Sequence, residues 1–249
     1  MIDQNSYIQP DWPAPAHIHA YTTTRCGGTS LPPWGSLNMA DYVGDESAQV
    51  AENRRMIAEA IDLPSEPYWL HQTHGTLVSR MDNREADAAY ANRPGAVCVV
   101  LTADCLPVLL TNRAGDQVAA VHAGWRGLAA GILEASVAAF QSTHNRKDII
   151  AWLGPAISQT AFQVGDQVRE AFVQQQPQAE TAFIAEQPGS WRADLYQLAR
   201  QRLQAVGVQH INGGDYCTYT DQARYYSYRR AANTGRMATM IWIAPTTDR

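Results

Sequence analysis

Apolar and polar positions follow two rhythms along this chain. Three short apolar runs, AVCVVLT (96–102), PVLLT (107–111) and QVAAVHA (117–123), are rich in branched residues and bounded by turn residues. That pattern predicts buried strands. HIHAYTT (17–23), YWL (68–70), TLVSRM (76–81), DIIAWLG (148–154) and ATMIWI (238–243) read the same way. A helical rhythm appears in DESAQVAENRRMIAEAI (45–61), which opens on an Asp cap and places Val50, Ile57 and Ile61 on one face. It returns, more strongly, in GLAAGILEASVAAFQS (127–142), and again over 165–175 and 194–206. Pro10, Pro13 and Pro15 keep the N-terminal arm extended, and TRCGGTSLPPWGS (24–36) is a turn-rich surface loop. Strands and helices intermix, and the links between the strands of 96–123 look hairpin-short. The expected fold is therefore α+β, with layered mixed β-sheets flanked by helices. No linker or repeat divides residues 1–249, so a single domain is expected.

Composition narrows the function classes. The chain has 249 residues, 45% hydrophobic and 17% charged, with a formal net charge of −5. No basic run offers a nucleic-acid footprint. The longest apolar run is far short of a membrane span. The N-terminus lacks a basic start and an apolar core, so no secretory signal is expected and the default compartment is the cytoplasm. Cys26, Cys98, Cys105 and Cys217 lie far apart without a C-x-x-C pair, as expected of free thiols.

Candidate chemistry sits where apolar strands end. AVCVVLTADC runs out at Asp104 and Cys105; QVAAVHAGWRG runs out at His122, just before a helix. Strand ends of such sheets commonly carry sites. HQTHG (71–75) adds two histidines three apart. An aromatic, β-branched context predicts extended chain, in which His71 and His74 face opposite sides. His74, beside Gly75, is then the candidate. A thiolate and two imidazoles from Cys105, His74 and His122 make a good zinc set with an open fourth position for an activated water. Copper also accepts such ligands. The same residues admit a metal-free reading, with Cys105 as nucleophile and His122 as base, or a non-catalytic metal-binding protein. Cys98, within an apolar strand, reads as packing. H-E-x-x-H, the deaminase signature, P-loop and G-x-G-x-x-G motifs are absent.

Several motifs in order carry a resemblance: TRCGGTSLPPWGSLNMADYVGDE (24–46), HQTHG, TADCLPVLL, VHAGWRG, WLGPAIS (152–158), FQVGDQV (162–168) and CTYTDQARYYSYRRAANTGRMA (217–238). Across nearly the whole chain the sequence resembles the peptidoglycan editing factor family, also known as the laccase-domain or polyphenol oxidase family. The resemblance implies a fold shared distantly with cysteine hydrolase-like proteins, and zinc held by His74, Cys105 and His122. It assigns His71 no role. It implies several activities: phosphorolysis of adenosine, inosine and methylthioadenosine, adenosine deamination, copper-dependent phenol oxidation, and removal of L-Ser from a UDP-muramoyl precursor. Phenol oxidation ranks last, because a multi-copper centre is histidine-rich and the chain has 7 His. Arg25, Arg126, Arg229 and Arg230 sit in the matching motifs as candidate clamps for phosphate or a precursor carboxylate. Asp104, beside the thiol, is a candidate to orient or shuttle protons, or is an ordinary turn residue; Cys217 reads as packing.

Overall fold

The structure is a computed structural model in which residues 2–141 and 145–245 are described. Strands β1 (Tyr7–Ile8) and β2 (Ile18–Thr23) precede helix α1 (Ser47–Ala60). Then come β3 (Val78–Ser79), β4 (Ala88–Ala91), β5 (Cys98–Thr102), β6 (Leu106–Asn112) and β7 (Val118–Ala123). Helices α2 (Trp125–Ala130) and α3 (Ile132–Ala139) follow, then β8 (Ile149–Leu153), β9 (Gln163–Gly165) and α4 (Asp166–Val173). The chain continues through β10 (Phe183–Gln187), β11 (Ser190–Ala193), α5 (Leu195–Ala205), β12 (His210–Gly213) and β13 (Met237–Ile243).

The architecture is mixed α+β, as the patterning predicts. One sheet runs β1-β2-β13-β5 and is antiparallel throughout. A second, in the order β12-β8-β6-β7-β4-β3, mixes parallel and antiparallel pairs. A third small sheet runs β10-β11-β9. Side-chain alternation along β5 shows how the layers stack. Val97, Val99 and Leu101 pack with Ile57 of α1 on one face. Cys98 and Val100 point the other way, into a layer shared with Leu109, Ala120 and Trp152 of the six-stranded sheet. Cys98 is thus packing, fully buried. The far face of the six-stranded sheet, with Val108, Val121 and Ala151, is covered by helical residues such as Leu133 and Leu198.

Three local expectations are corrected. The stretch 96–111 is no hairpin: β5 and β6 belong to different sheets, and residues 103–105 carry the chain from one to the other. β6 and β7, by contrast, do pair as neighbours. The helix expected over 127–142 starts two residues earlier and is broken at Gly131, whose φ of 105° separates α2 from α3; the expected last residue, Ser142, lies outside the described residues. A left-handed residue cannot propagate a right-handed helix, and glycine adopts that conformation without a Cβ penalty. Finally, Asp45 does not cap α1, whose N-cap is Glu46 without a side-chain bond. The Asp45 carboxylate accepts from Ser30 Oγ and Asn38 Nδ2, which ties down the 24–36 loop.

Candidate metal centre

His122, the last residue but one of β7, has the same parity as Val118 and Ala120, so its ring enters the layer between the sheets. Cys105 lies on the crossover from β5 to β6, beside Asp104, whose φ is 95°. His74 comes from the loop before β3. The ligand atoms of His74, Cys105 and His122 all lie within 4.8 Å of one another, and no other group of three such residues is found among the described residues. Cys105 Sγ is 3.9 Å from His74 Nε2, and the two imidazole rings meet edge to face at 4.8 Å. The set grades from exposed His74 through half-buried Cys105 to buried His122.

His71 stays out, as expected, but for a different reason. The loop is not a strand: His74 has φ 62°, and the chain turns back over residues 73–75. Side-chain parity is lost in such a turn, and the turn itself aims His74 at the cluster. Gly124 supplies the remaining clearance. A Cβ there would stand 2.9 Å from His74 Cδ2, 3.1 Å from Cys105 Sγ and 3.4 Å from His122 Nε2. The ligand side chains occupy the space a side chain would need.

Asp87, just before β4, was not singled out by the motifs. It is fully buried, faces the same layer as His122, and accepts from His122 Nδ1 at 2.8 Å. Its oxygens also accept from His74 N (2.9 Å), Thr73 N (3.1 Å), Thr73 Oγ1 (3.0 Å) and Gly75 N (2.7 Å). Burial works against its charge, but the His122 bond and these backbone donors hold the carboxyl down at about 2. Burial likewise pushes the Cys105 thiol up, yet the neighbouring charges and hydrogen bonds of His122 and His74 bring it down to about 6. For His122 burial favours the neutral ring, and the Cys105 thiolate with Asp87 overrides it, raising the imidazole to about 9. Both shifts run in the direction that favours thiolate and imidazolium at neutral pH in the metal-free protein.

The trio forms part of the wall of a cavity of about 450 Å³. Arg126 and Arg229 line that cavity, as does Arg236, which the motifs did not single out; Tyr42, Tyr228 and Phe162 give it aromatic walls. Arg25 and Arg230 are not among the lining residues. Arg25 donates to Gly35 O and Gln222 O, and Arg230 to Thr218 O, Tyr219 O and Tyr225 O, so both guanidinium groups brace loops. Asp104 lines the cavity, but its carboxylate accepts from Thr218 Oγ1 (2.6 Å), Ser227 Oγ (3.0 Å) and Arg229 N (2.7 Å). Cys217 Sγ accepts from Ser158 Oγ at 3.0 Å. Nothing in the sequence singles out Asp87: the AAYA stretch after it lacks the branched residues of a strand, and no spacing ties it to His122.

Comparisons with known proteins agree over nearly the whole length. The chain is 52% identical over 241 residues to "Purine nucleoside phosphorylase YfiH" of Escherichia coli, covering 95% of this chain and 98% of that protein. It is 47% identical to "Purine nucleoside phosphorylase PA4543" of Pseudomonas aeruginosa, covering 96% and 99%. The crystal structure of protein NMB0706 from Neisseria meningitidis superposes with a TM-score of 0.92 at 42% identity, covering 96% of this chain and all of that one. YlmD from Geobacillus stearothermophilus superposes with a TM-score of 0.90 at 29% identity, covering 98% of both chains. Residues 19–244 match the family described as "Multi-copper polyphenol oxidoreductase laccase", and the chain belongs to it.

Proposed function

We propose that this protein is a zinc-dependent purine nucleoside phosphorylase that accepts adenosine, inosine and methylthioadenosine, and that also deaminates adenosine. One observation carries the reading: a Cys–His–His donor set opens onto a cavity whose walls combine aromatic rings with guanidinium groups. The curated relatives named purine nucleoside phosphorylase support the substrate class.

The donor set fits zinc. A thiolate and two imidazoles suit a borderline-soft ion, and ligand atoms around a tetrahedral zinc stand roughly 3.3–3.6 Å apart; here they lie within 4.8 Å of one another, with Cys105 Sγ 3.9 Å from His74 Nε2, so that a small inward movement would close the set on an ion. Bound there, zinc would supply Lewis acidity at an open fourth position. Copper remains the second choice: a multi-copper oxidase needs several centres, and one group is found among the described residues. In phosphorolysis a phosphate oxygen bonds to ribose C1′ as the C1′–N9 bond breaks, and the electron pair and a proton pass to the purine. Arg126 and Arg229 would hold the phosphate charge, and Tyr42, Tyr228 and Phe162 would hold the planar base. Asp104 would act by fixing Arg229 through its main chain rather than by moving a proton. Residues 1–249 are read as one cytoplasmic domain acting on small molecules, without nucleic acid or membrane; among the described residues no helix is long and apolar enough to cross a bilayer.

A second reading is favoured by a specific alignment. Cys105, His122 and Asp87 stand in the order nucleophile, acid–base partner and orienting carboxylate, with the imidazolium of His122 placed to give its proton to a leaving group. That arrangement suits amide hydrolysis, with removal of L-Ser from a UDP-muramoyl precursor as the candidate reaction, and it is the chemistry that the cysteine hydrolase-like relationship implied by the sequence resemblance would bring. Incubation with adenosine plus phosphate, and separately with the muramoyl-L-Ser precursor, separates the two. Faster turnover of adenosine by orders of magnitude, abolished by a chelator, supports the first reading. Precursor cleavage that survives the chelator and dies with a thiol alkylator replaces it with the second. No turnover of either substrate refutes both.

A further inference from the structure

We infer that Asp87 is the positioning residue of the metal centre: one buried carboxylate sets both the ring of His122 and the turn that carries His74. The inference rests on the metal-centre reading and is independent of the substrate.

The two oxygens divide the work. Oδ1 accepts from His122 Nδ1 and His74 N; Oδ2 accepts from Thr73 N, Thr73 Oγ1 and Gly75 N. An ionised carboxylate offers about four lone-pair sites, and these donors use them. Asp87 therefore has no free lone pair for a metal or a substrate proton, and it acts through the histidines. With Nδ1–H committed to Asp87, the Nε2 of His122 is the atom that faces the cluster, where Gly124 leaves it room. The main chains are joined as well: His122 N donates to Asp87 O at 2.7 Å, and Asp87 N donates to Leu77 O at 3.0 Å. The residue thus clamps β7 to the His74 loop. Two of three ligands are preset before any ion arrives, which spares binding the cost of ordering an exposed loop.

Asparagine cannot reproduce this. Its single carbonyl oxygen can serve His122 and His74 N, or the three donors of Thr73 and Gly75, and its NH₂ group then points at donors on the other side. Outer-sphere partners of this kind are worth 10–100-fold in metal affinity.

The test uses the full chain, first metal-free and then titrated with zinc against a chromophoric chelator. In ¹⁵N-histidine-labelled protein, His122 is expected to show a protected, low-field Nδ1–H resonance that disappears in Asp87→Asn. Zinc affinity should fall about 10–100-fold in Asp87→Asn and recover in part in Asp87→Glu, which keeps the charge. Unchanged zinc affinity in a folded Asp87→Asn overturns the inference, as does weaker binding with the His122 Nδ1–H signal intact. Should Asp87→Asn fail to fold, the wild-type resonance and Asp87→Glu decide. If the wild type binds no zinc, the metal-centre reading fails by itself and the Nδ1–H resonance judges Asp87.

Discussion

Gly124→Ala probes the cluster with one methyl group. The backbone accepts it: Gly124 has φ −61° and ψ 153°, ordinary extended values for alanine. Fewer unfolded conformations would even add about 0.4–1 kcal/mol of stability. The site does not accept it. The new Cβ would stand 2.9 Å from His74 Cδ2 and 3.1 Å from Cys105 Sγ, roughly 0.5 Å inside an optimal contact of about 3.5–4.0 Å. His74 sits on an exposed turn and can swing away; Cys105 is held in the crossover between sheets and has less freedom. Ligand distances must stay within about 0.2 Å of their ideal values, so a displacement of this size costs binding. We expect zinc affinity to drop by at least tenfold, equivalent to about 1.4 kcal/mol, while the metal-free protein melts within a few degrees of wild type. A chelator-competition titration and a thermal melt of the metal-free form measure both quantities. Wild-type zinc affinity in a folded Gly124→Ala would refute the claim that the ion sits where His74, Cys105 and His122 converge.

Cys105→Ala is expected to lose zinc and all turnover of adenosine, whereas His71→Ala should keep both; metal analysis and an initial-rate assay check the pair. Arg126→Gln and Arg229→Gln should each raise the phosphate KM about 10–100-fold, the worth of a charge-assisted hydrogen bond of ~1.5–3 kcal/mol. Arg25→Gln and Arg230→Gln should instead lower the melting temperature, because those groups hold main-chain carbonyls; an unchanged phosphate KM in both lining variants would remove them from the anion site. In metal-free protein, Cys105 should be alkylated by iodoacetamide with a midpoint near the lowered value of about 6, not near the ~8.5 of a free thiol. Asp87 contributes acid-sensitive stability: its folded value of about 2 lies below the unfolded ~3.9, so its contribution is present above about pH 4 and lost as pH falls through 2. Melting curves between pH 5 and 2 follow that loss.

The legible parts of this protein were those written in local pattern. The runs at 96–102, 107–111, 117–123 and 238–243 carry enough branched apolar residues to declare themselves, and each is a strand. β4 was missed because AAYA has alanines where strands usually show branched residues; its identity comes from pairing with Val118–Val121 of β7. β10, β11 and β12 escape the pattern because they are short and half-exposed; β10 and β11 pair with each other, and only β9 and β8, the further partners of β11 and β12, lie distant in sequence. The ligands His74, Cys105 and His122 were legible through motif resemblance, and Cys98 through its apolar run. Asp87 was not, because a buried carboxylate is recognisable only once the donors around it are known. Arg236 precedes β13 and becomes a cavity residue only because β13 pairs with β5, the strand leading to Cys105.

The crossover between sheets explains why the centre lies where it does. Two stacked sheets share a dry layer, and a polar cluster is tolerated only where that layer opens. β5 ends there at Thr102, β7 ends there at Ala123, and the chain must leave one sheet for the other at Asp104 and Cys105. A strand neighbour pairs within its own sheet, so a link between sheets leaves its backbone without a ladder. Asp104 meets that need in part: its main-chain oxygen accepts from Ile157 N, and its carboxylate gathers Thr218, Ser227 and Arg229. The thiol of Cys105 is thereby left facing His122 across the opening. Register enforces the rest. His122 pairs with Pro107 on β6, and a slip of one residue would turn its ring to the helical face and bring Val121 to the cluster. Asp87 would lose its imidazole partner in the same slip. The metal ligands are therefore specified by strand register between β4, β6 and β7 as much as by their own identity.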